Sequence, residues 1–422
     1  MLLRHSGVNA LSAPEISDRT GKNLLNSAVI GALRSSDNKK NTKRPIRRAI
    51  SAVQVATVIF LAGIALGQSS NFVAPPFTPP QVNFQVTPYN GNREAAFRRS
   101  DAAMKVLMES YNPYSGLWRG AEWWTNANIL ITLIDNATLT HNPNYLWVVE
   151  NTYSKNSSKG FLNKYTDDEG WWSLAWIKAY DLTHQEKFLN TAKEIFRDMS
   201  KSWNGMCGGG ISRIAQSDAK GAVSNELFTY VALLLHERTP GDTEYLDWAR
   251  RDYGWFIKSG LFNSSNSSVN DRLYQGCVGL NRARFTYTQG EFINVLLEFH
   301  KITGNNLYLS MAESVANFND SYNSNKKRIL QETSCGPDNI CYGGMPIFKG
   351  MYINALYNLY LADHKKVYAD FISKNANSVW LRDRNSVNQI GVFWYGPFAD
   401  SIPASQSSGI DVTDAAEAIS HS

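Results

Sequence analysis

Two kinds of apolar stretch alternate along the chain from Arg93 onward. Residues 171–179, 223–235 and 292–299 are apolar on nearly every face at helical spacing, which predicts helices buried all round. Residues 186–199 and 245–258 carry charge on one side only and predict an outer, half-exposed layer. Between an inner stretch and its outer partner lies a recurring turn: Thr140-His141-Asn142-Pro143, Thr183-His184-Gln185-Glu186, Thr239-Pro240-Gly241-Asp242, Thr303-Gly304-Asn305-Asn306, and a shorter form at Asp363-His364. The theme returns every ~40 to 65 residues, the mark of a repeat architecture. Inner helices start near Trp123-Trp124, at Asp167-Asp168, at Ser224-Asn225-Glu226, at Tyr287-Thr288-Gln289-Gly290, at Phe348-Lys349-Gly350 and near Gln406-Ser407-Ser408. Six inner–outer hairpins predict an all-α toroid, an (α/α)6 barrel, with a helical solenoid that does not close as the alternative. Long loops then lead to the inner-helix starts on one rim, which is where function is expected.

The chain before Arg93 reads differently. Residues 1–48 are polar and aperiodic and read as a disordered tail. Residues 49–67 are apolar and uncharged and follow Lys39, Lys40, Lys43, Arg44, Arg47 and Arg48, the order of a membrane-targeting helix. That segment is read either as a type II anchor or as a cleaved signal with a small-x-small site at Ala65-Leu66-Gly67. Both place the rest outside the cytosol, secreted or membrane-anchored. Residues 68–92, with Pro75-Pro76 and Pro79-Pro80, read as an extended linker, and residues 93–422 as the folded domain. The segment from Ala415 to Ser422 lacks the hydrophobic tail of a lipid-anchor signal.

Charge and composition sharpen this. The net charge of +5 owes much to the basic cluster before the apolar segment, so no nucleic-acid surface is implied. The 12 Trp, 20 Tyr and 19 Phe suit the mixed faces of sugars as well as a helical core. Asn-x-Ser/Thr triplets at Asn136, Asn156, Asn263, Asn266 and Asn319 are candidate glycosylation sites in a secretory route. Four cysteines in the exported part predict two disulfides. Cys335 with Cys341 would close a short loop, leaving Cys207 for Cys277. Metal-ligand spacings are missing, and neither a metal nor a cofactor is expected.

Candidate chemistry concentrates at Asp167-Asp168-Glu169, followed by Trp171, Trp172 and Trp176. An acid before a helix is often only a cap. Paired carboxylates beside indoles at a functional rim instead suit glycoside hydrolysis, where a carboxyl spacing of about 5 to 5.5 Å accompanies retention. The run Tyr165-Thr166-Asp167-Asp168-Glu169-Gly170-Trp171-Trp172-Ser173-Leu174-Ala175-Trp176 resembles the signature of glycoside hydrolase family 76, the α-1,6-mannanases. So do Cys207-Gly208-Gly209-Gly210-Ile211, Ala222-Val223-Ser224-Asn225-Glu226, Thr286-Tyr287-Thr288-Gln289-Gly290 and Ile347-Phe348-Lys349-Gly350, in the family's order. The resemblance implies an (α/α)6 barrel and double displacement on α-1,6-linked mannose, with Asp167 as nucleophile and Asp168 as general acid/base. Trp124, Trp171 and Trp172 are candidate sugar platforms; Gly208, Gly209 and Gly210 would let a backbone approach the sugar. Asn225, Tyr287 and Gln289 are candidate hydrogen-bonding partners of mannose, while Lys349 would neutralise the cleft or face solvent. Arg213 stands where the family commonly has Trp, a cationic contact in place of a platform.

Three functions follow. The first is an endo-acting, retaining hydrolase of α-1,6-mannan; the second is a cell-wall transglycosylase acting on mannan or lipid-anchor glycans through the same covalent intermediate. The third is a catalytically silent mannan-binding protein. The partner in each is α-mannan or another mannose-containing glycan, with the membrane a further partner through residues 49–67 if that helix is uncleaved.

Overall fold

A computed structural model describes residues 77–80, 84, 86–214, 219–332, 341 and 343–421. The predicted tail at 1–48 and the predicted targeting segment at 49–67 lie outside the described residues, as does Cys335. No helix among the described residues is long and apolar enough to cross a membrane.

Among the described residues twelve helices build the barrel: α1 (Arg98–Glu109), α2 (Trp123–Leu139), α3 (Trp147–Asn156), α4 (Thr166–Thr183), α5 (Glu186–Ser200), α6 (Ala222–Glu237), α7 (Glu244–Ser259), α8 (Thr286–Thr303), α9 (Asn306–Tyr322), α10 (Phe348–Asp363), α11 (Lys366–Arg382) and α12 (Pro403–His421). The even-numbered helices are the inner ring. Each packs on the next, α2 on α4, α4 on α6, α6 on α8, α8 on α10 and α10 on α12, and α12 returns to α2. That last contact closes the toroid, so the open solenoid is excluded and the (α/α)6 barrel is the fold.

Layer membership follows the sequence pattern. In α4, residues 166–177 are buried without a break, whereas α5 buries Phe188, Leu189, Ala192, Ile195, Phe196 and Met199, one stripe at three- and four-residue steps. The recurring turns have a conformational basis. His184, Gly304 and His364 each end an inner helix in the left-handed region and return an N–H to the carbonyl four residues earlier, at Tyr180, His300 and Tyr360. His141 takes the same conformation one residue beyond the cap of α2. Inner helices also converge near the functional rim. A Cβ on Gly170 would sit 2.7 Å from Leu227 Cβ of α6, and one on Gly290 2.9 Å from Tyr352 Cα of α10.

Among the described residues the strands are two-residue pairs in the rim loops. The largest sheet joins Lys220–Gly221, Arg272–Leu273 and Leu280–Asn281 antiparallel, with Lys220 opposite Leu273, and so ties the loop before α6 to the loop before α8. The predicted Cys207–Cys277 disulfide links the same two loops. Cys341 is disulfide-bonded as well.

Two predicted glycosylation sites are corrected here. Asn136 is buried in α2 and donates to Ser100 Oγ and Asp414 Oδ2 at 2.7 and 2.9 Å. Asn319 is fully buried in α9, its side-chain oxygen accepting from Asn323 at 2.6 Å. A glycan has no room at either. Asn266 is exposed, and Asn156 and Asn263 are half-buried. When the chain is made in a glycosylating host, peptide mass mapping should find Asn136 and Asn319 unmodified; a glycan on either would contradict this packing.

The barrel wall also holds carboxyls that burial pushes upward: Glu291, Asp320 and Asp411 to about 7, and Asp252 to about 8. Their folded values exceed those of the unfolded chain, so the fold binds more protons between about pH 4 and 8 and loses stability as pH rises through that window. The melting midpoint should therefore be lower at pH 8 than at pH 5. A midpoint that rises over that interval would contradict the burial of these acids in protonated form.

Candidate active site

The α4 start is organised by a loop that folds back onto it. Thr166 N–H donates to the Arg213 carbonyl at 2.9 Å and Thr166 Oγ1 to the Ser212 carbonyl at 2.9 Å, which caps the helix with backbone from the Gly-rich loop. Tyr165, not an acid, is the N-cap residue. Asp167 and Asp168 thus lie inside the first turn, where their charge complements the helix dipole. Anchoring its backbone there places Arg213 over the Tyr165 ring at 4.8 Å and brings its Nε to Asp167 Oδ2 at 2.6 Å. Asp167 Oδ1 accepts the Asp168 backbone N–H at 3.0 Å.

Asp168 has a different setting. Its Oδ2 accepts from Asn163 Nδ2 at 2.6 Å, and it makes no ion pair of its own among the described residues. Burial, with the neighbouring Asp167 charge behind it, raises its carboxyl to about 6. The Asn163 donor opposes that rise without cancelling it. Asn163 is itself fixed at both ends: its N–H donates to Glu169 Oε1 at 3.1 Å and its Oδ1 accepts from Tyr165 N at 2.7 Å.

Glu169 belongs to a pattern around the ring. The fourth residue of α2, α4, α6, α8 and α12 is Asn126, Glu169, Asn225, Gln289 and Gln406. Each accepts a loop backbone N–H through its side-chain oxygen, from Trp118, Asn163, Ile211, Val269 and Ile390 respectively, at 2.7 to 3.1 Å. The four amides also donate to carbonyls of those loops. Glu169 is the one carboxyl in the set, and burial raises it to about 8, so at neutral pH it is a protonated stand-in for an amide.

The acids open into a cleft of about 430 Å³ whose walls include Trp124, Trp171, Arg213, Tyr287 and Phe348. Trp124 Nε1 donates to Glu122 Oε2 at 2.7 Å, which fixes its indole at the rim. Tyr287 packs on Phe348 with centroids 4.0 Å apart and the rings tilted by 31°, and burial raises its hydroxyl well above the usual value. Trp171 faces the cleft and also a smaller cavity of about 60 Å³ on the barrel axis.

The structure therefore brings Asp167, Asp168, Trp124, Trp171, Arg213 and Tyr287 together and sets the other sequence candidates elsewhere. Trp172 is fully buried, 4.6 Å from Trp123 and 4.9 Å from Phe161 between ring centroids, and is core rather than platform. Gly209 and Gly210 approach a side chain, not a sugar: a Cβ would meet the Trp255 ring at 2.9 and 2.5 Å, while Gly208 faces solvent. Asn225 and Gln289 are loop clamps with their polar atoms spent. Lys349 neither lines the cleft nor faces solvent. Its Nζ is buried 5.3 Å from the Trp394 ring, donates to the Val392 carbonyl at 3.1 Å, and is lowered to about 8 by burial. Sequence reasoning missed Asn163 and Phe348 as site residues. Phe348 stood inside a quoted motif, but Asn163 lies four residues before the acid pair, where no spacing rule points to it.

Residues 89–419 match the family model for glycosyl hydrolase family 76. The chain belongs to that family. It is similar to the mannan endo-1,6-alpha-mannosidase DFG5 of Candida albicans, 26% identical over 292 residues, covering 60% of this chain and 64% of the relative. It is also similar to the mannan endo-1,6-alpha-mannosidase DCW1 of Candida glabrata, 26% identical over 209 residues, covering 45% of each chain. The matched segments thus span less than two thirds of these relatives' lengths. Among solved structures, an inactive variant of the α-1,6-mannanase GH76A of Salegentibacter sp. HEL1_6 with two adjacent aspartates replaced by asparagine, in complex with α-1,6-mannotriose, shares the fold. Its TM-score is 0.69 at 23% identity, covering 76% of this chain and 99% of that one.

The clamp pattern gives a direct test at Glu169. Glu169→Gln keeps the acceptor and should retain the wild-type melting midpoint at pH 7. Glu169→Ala leaves the Asn163 N–H unsatisfied and should cost about 1–3 kcal/mol in denaturant unfolding. Equal loss in both variants would show that the site needs a charge and not a clamp.

Proposed function

We propose that the chain is a retaining glycosidase that cleaves α-1,6-mannosidic linkages of mannan, with Asp167 as nucleophile and Asp168 as general acid/base. The observation that carries the reading is the unequal environment of two adjacent carboxyls in one cleft. Asp167 is held by the Arg213 guanidinium, which compensates its charge and aims it. Asp168, raised to about 6 by burial, keeps a proton for the leaving oxygen. The names of the Candida relatives and the inactive double-aspartate mannanase with its bound mannotriose support the substrate class.

In the first step Asp168 protonates the glycosidic oxygen while an Asp167 oxygen attacks the anomeric carbon, giving a mannosyl ester on Asp167 and a departing fragment with a free 6-hydroxyl at its new non-reducing end. In the second, Asp168, now ionised, takes a proton from water, which attacks the same carbon and releases Asp167 as carboxylate. Asn163 holds Asp168 in place through both steps and favours its ionised form. Trp124, Trp171 and Tyr287 offer apolar faces to the sugar rings, and Tyr287 and Arg213 offer donors to its hydroxyls. The disulfide-linked rim loops are consistent with work outside the cytosol, secreted or anchored through residues 49–67, on a wall or extracellular glycan.

Purified full-length protein should release shorter oligosaccharides from linear α-1,6-mannan, and Asp167→Asn and Asp168→Asn should each lower kcat by about 10³-fold or more with the fold retained. No release by the wild type would reject the hydrolase; products longer than the input would instead identify a transglycosylase. kcat/KM should fall as pH rises through about 6, where Asp168 loses its proton. Asn163→Ala removes a donor that favours the ionised carboxyl, so it should move that alkaline limb upward; an unmoved or lowered limb would reject the Asp168 assignment.

A further inference from the structure

A third cavity, of about 540 Å³, opens between the loop after α9, one face of α11 and the loop before α12. These loops lie at the end of the barrel that carries the cleft, because outer helices finish where inner helices begin. Its polar walls hold four cations. Lys326 and Lys327 stand on the α9 loop and Lys374 and Arg382 on one face of α11, two turns apart with Ser378 between them. Its apolar side includes Leu381, 77% exposed, and the Tyr395 ring.

The charge of this groove is uncompensated among the described residues. None of the four cations makes an ion pair among the described residues, whereas Lys178, Lys187, Arg213, Arg238, Lys301 and Lys365 all do. Acids carried by the same segments are engaged elsewhere: Asp370 pairs with Lys366, Asp320 is buried and accepts from the Tyr352 hydroxyl at 2.7 Å, and Asp383 is fully buried. The loop is also rigid. Asn325 Oδ1 accepts from Lys327 N and Ile329 N at 2.9 and 3.1 Å, and Asn325 N donates to the Ile329 carbonyl at 3.0 Å, so the lysines project from a fixed turn. Four cations held together without partners repel one another, and a bound anion relieves that cost.

We propose that this groove is an accessory subsite for a phosphate-bearing segment of the glycan, a proposal that rests on the glycosidase reading for its sugar component. Lys326, Lys327, Lys374 and Arg382 take the phosphate oxygens through charge-assisted hydrogen bonds, and Leu381 and Tyr395 take the apolar face of the attached sugar. The concave shape favours this occupant over a flat lipid surface, which would meet the cations only at their rim. A phosphorylated branch held here retains a polymer on the enzyme while the cleft acts on a neutral stretch.

Calorimetric titration of the full chain with an α-1,6-mannooligosaccharide carrying one phosphomonoester, and with the same oligosaccharide lacking it, tests the groove. The phosphorylated probe should bind at least about tenfold more tightly. Lys326→Glu combined with Lys374→Glu, and Arg382→Gln separately, should remove most of that preference while leaving the melting midpoint and the cleavage of neutral mannan unchanged. Equal affinity for the two probes, or a preference that survives the substitutions, overturns the proposal. Groove-dependent binding of phosphatidylserine vesicles without preference for the phosphorylated probe overturns it in favour of a membrane surface. A wild type that cleaves no mannan yet shows the substitution-sensitive phosphate preference leaves the groove standing and removes the glycosidase reading alone.

Discussion

Inner helices that are buried on every side cannot expose the peptide groups of their first turns or of the loops that reach them, and each such group left unpaired would cost about 1–3 kcal/mol. The barrel meets this constraint at the same place in five of its six inner helices, with the fourth side chain turned back to clamp the incoming loop. The rim architecture depends on this arrangement. Loops held at both ends are stiff enough to carry a cleft, and at α4 the same clamp reaches the acid pair through Asn163.

The chemistry of the pair follows from how the α4 start is capped. Backbone from the Gly-rich loop satisfies Thr166, so of the two aspartates only Asp167 gives an oxygen to the first turn, to the Asp168 N–H, and both carboxyls still line the cleft. The carbonyl that caps the helix belongs to Arg213, so capping and charge pairing are one event: fixing that peptide delivers the guanidinium to Asp167. Asp168, one residue on, receives an uncharged amide instead and keeps a raised carboxyl. Two residues of identical type are made unequal by one loop. The loop is in turn fixed by the Cys207–Cys277 disulfide, by Trp255 against Gly209 and Gly210, and by the buried Lys220 ammonium, which donates to the Gly210 carbonyl at 2.7 Å.

Much of this was legible in the sequence. The left-handed residues at His184, Gly304 and His364 make the turns recur, and the recurrence gave the hairpins; closure of α12 on α2 is a long-range contact that no local pattern carries. The acid pair, Trp124, Trp171, Arg213 and Tyr287 were found where the rim was expected. Lys349 was misplaced because its long stem carries the ammonium inward to the Val392 carbonyl. Asn225 and Gln289 were misplaced for a physical reason: a polar side chain that clamps a loop and one that binds a sugar are the same residue types at the same helix ends. Only the register, with the acceptor always at the fourth position, separates them. Trp172 was misplaced because adjacent indoles in a helix diverge by about 100°, so Trp171 reaches the cleft while its neighbour enters the core.

The central claim is that Arg213 and Asn163 divide the labour between two adjacent aspartates, the first bonding to sugar and the second moving the proton. Covalent trapping tests it most directly: the full-length protein is incubated with a fluorinated α-mannosyl donor whose ester turns over slowly, digested, and mapped by tandem mass spectrometry. The expected result is a mannosyl adduct on Asp167 and none on Asp168. An adduct on Asp168, or turnover of mannan with no adduct on either residue, would contradict it.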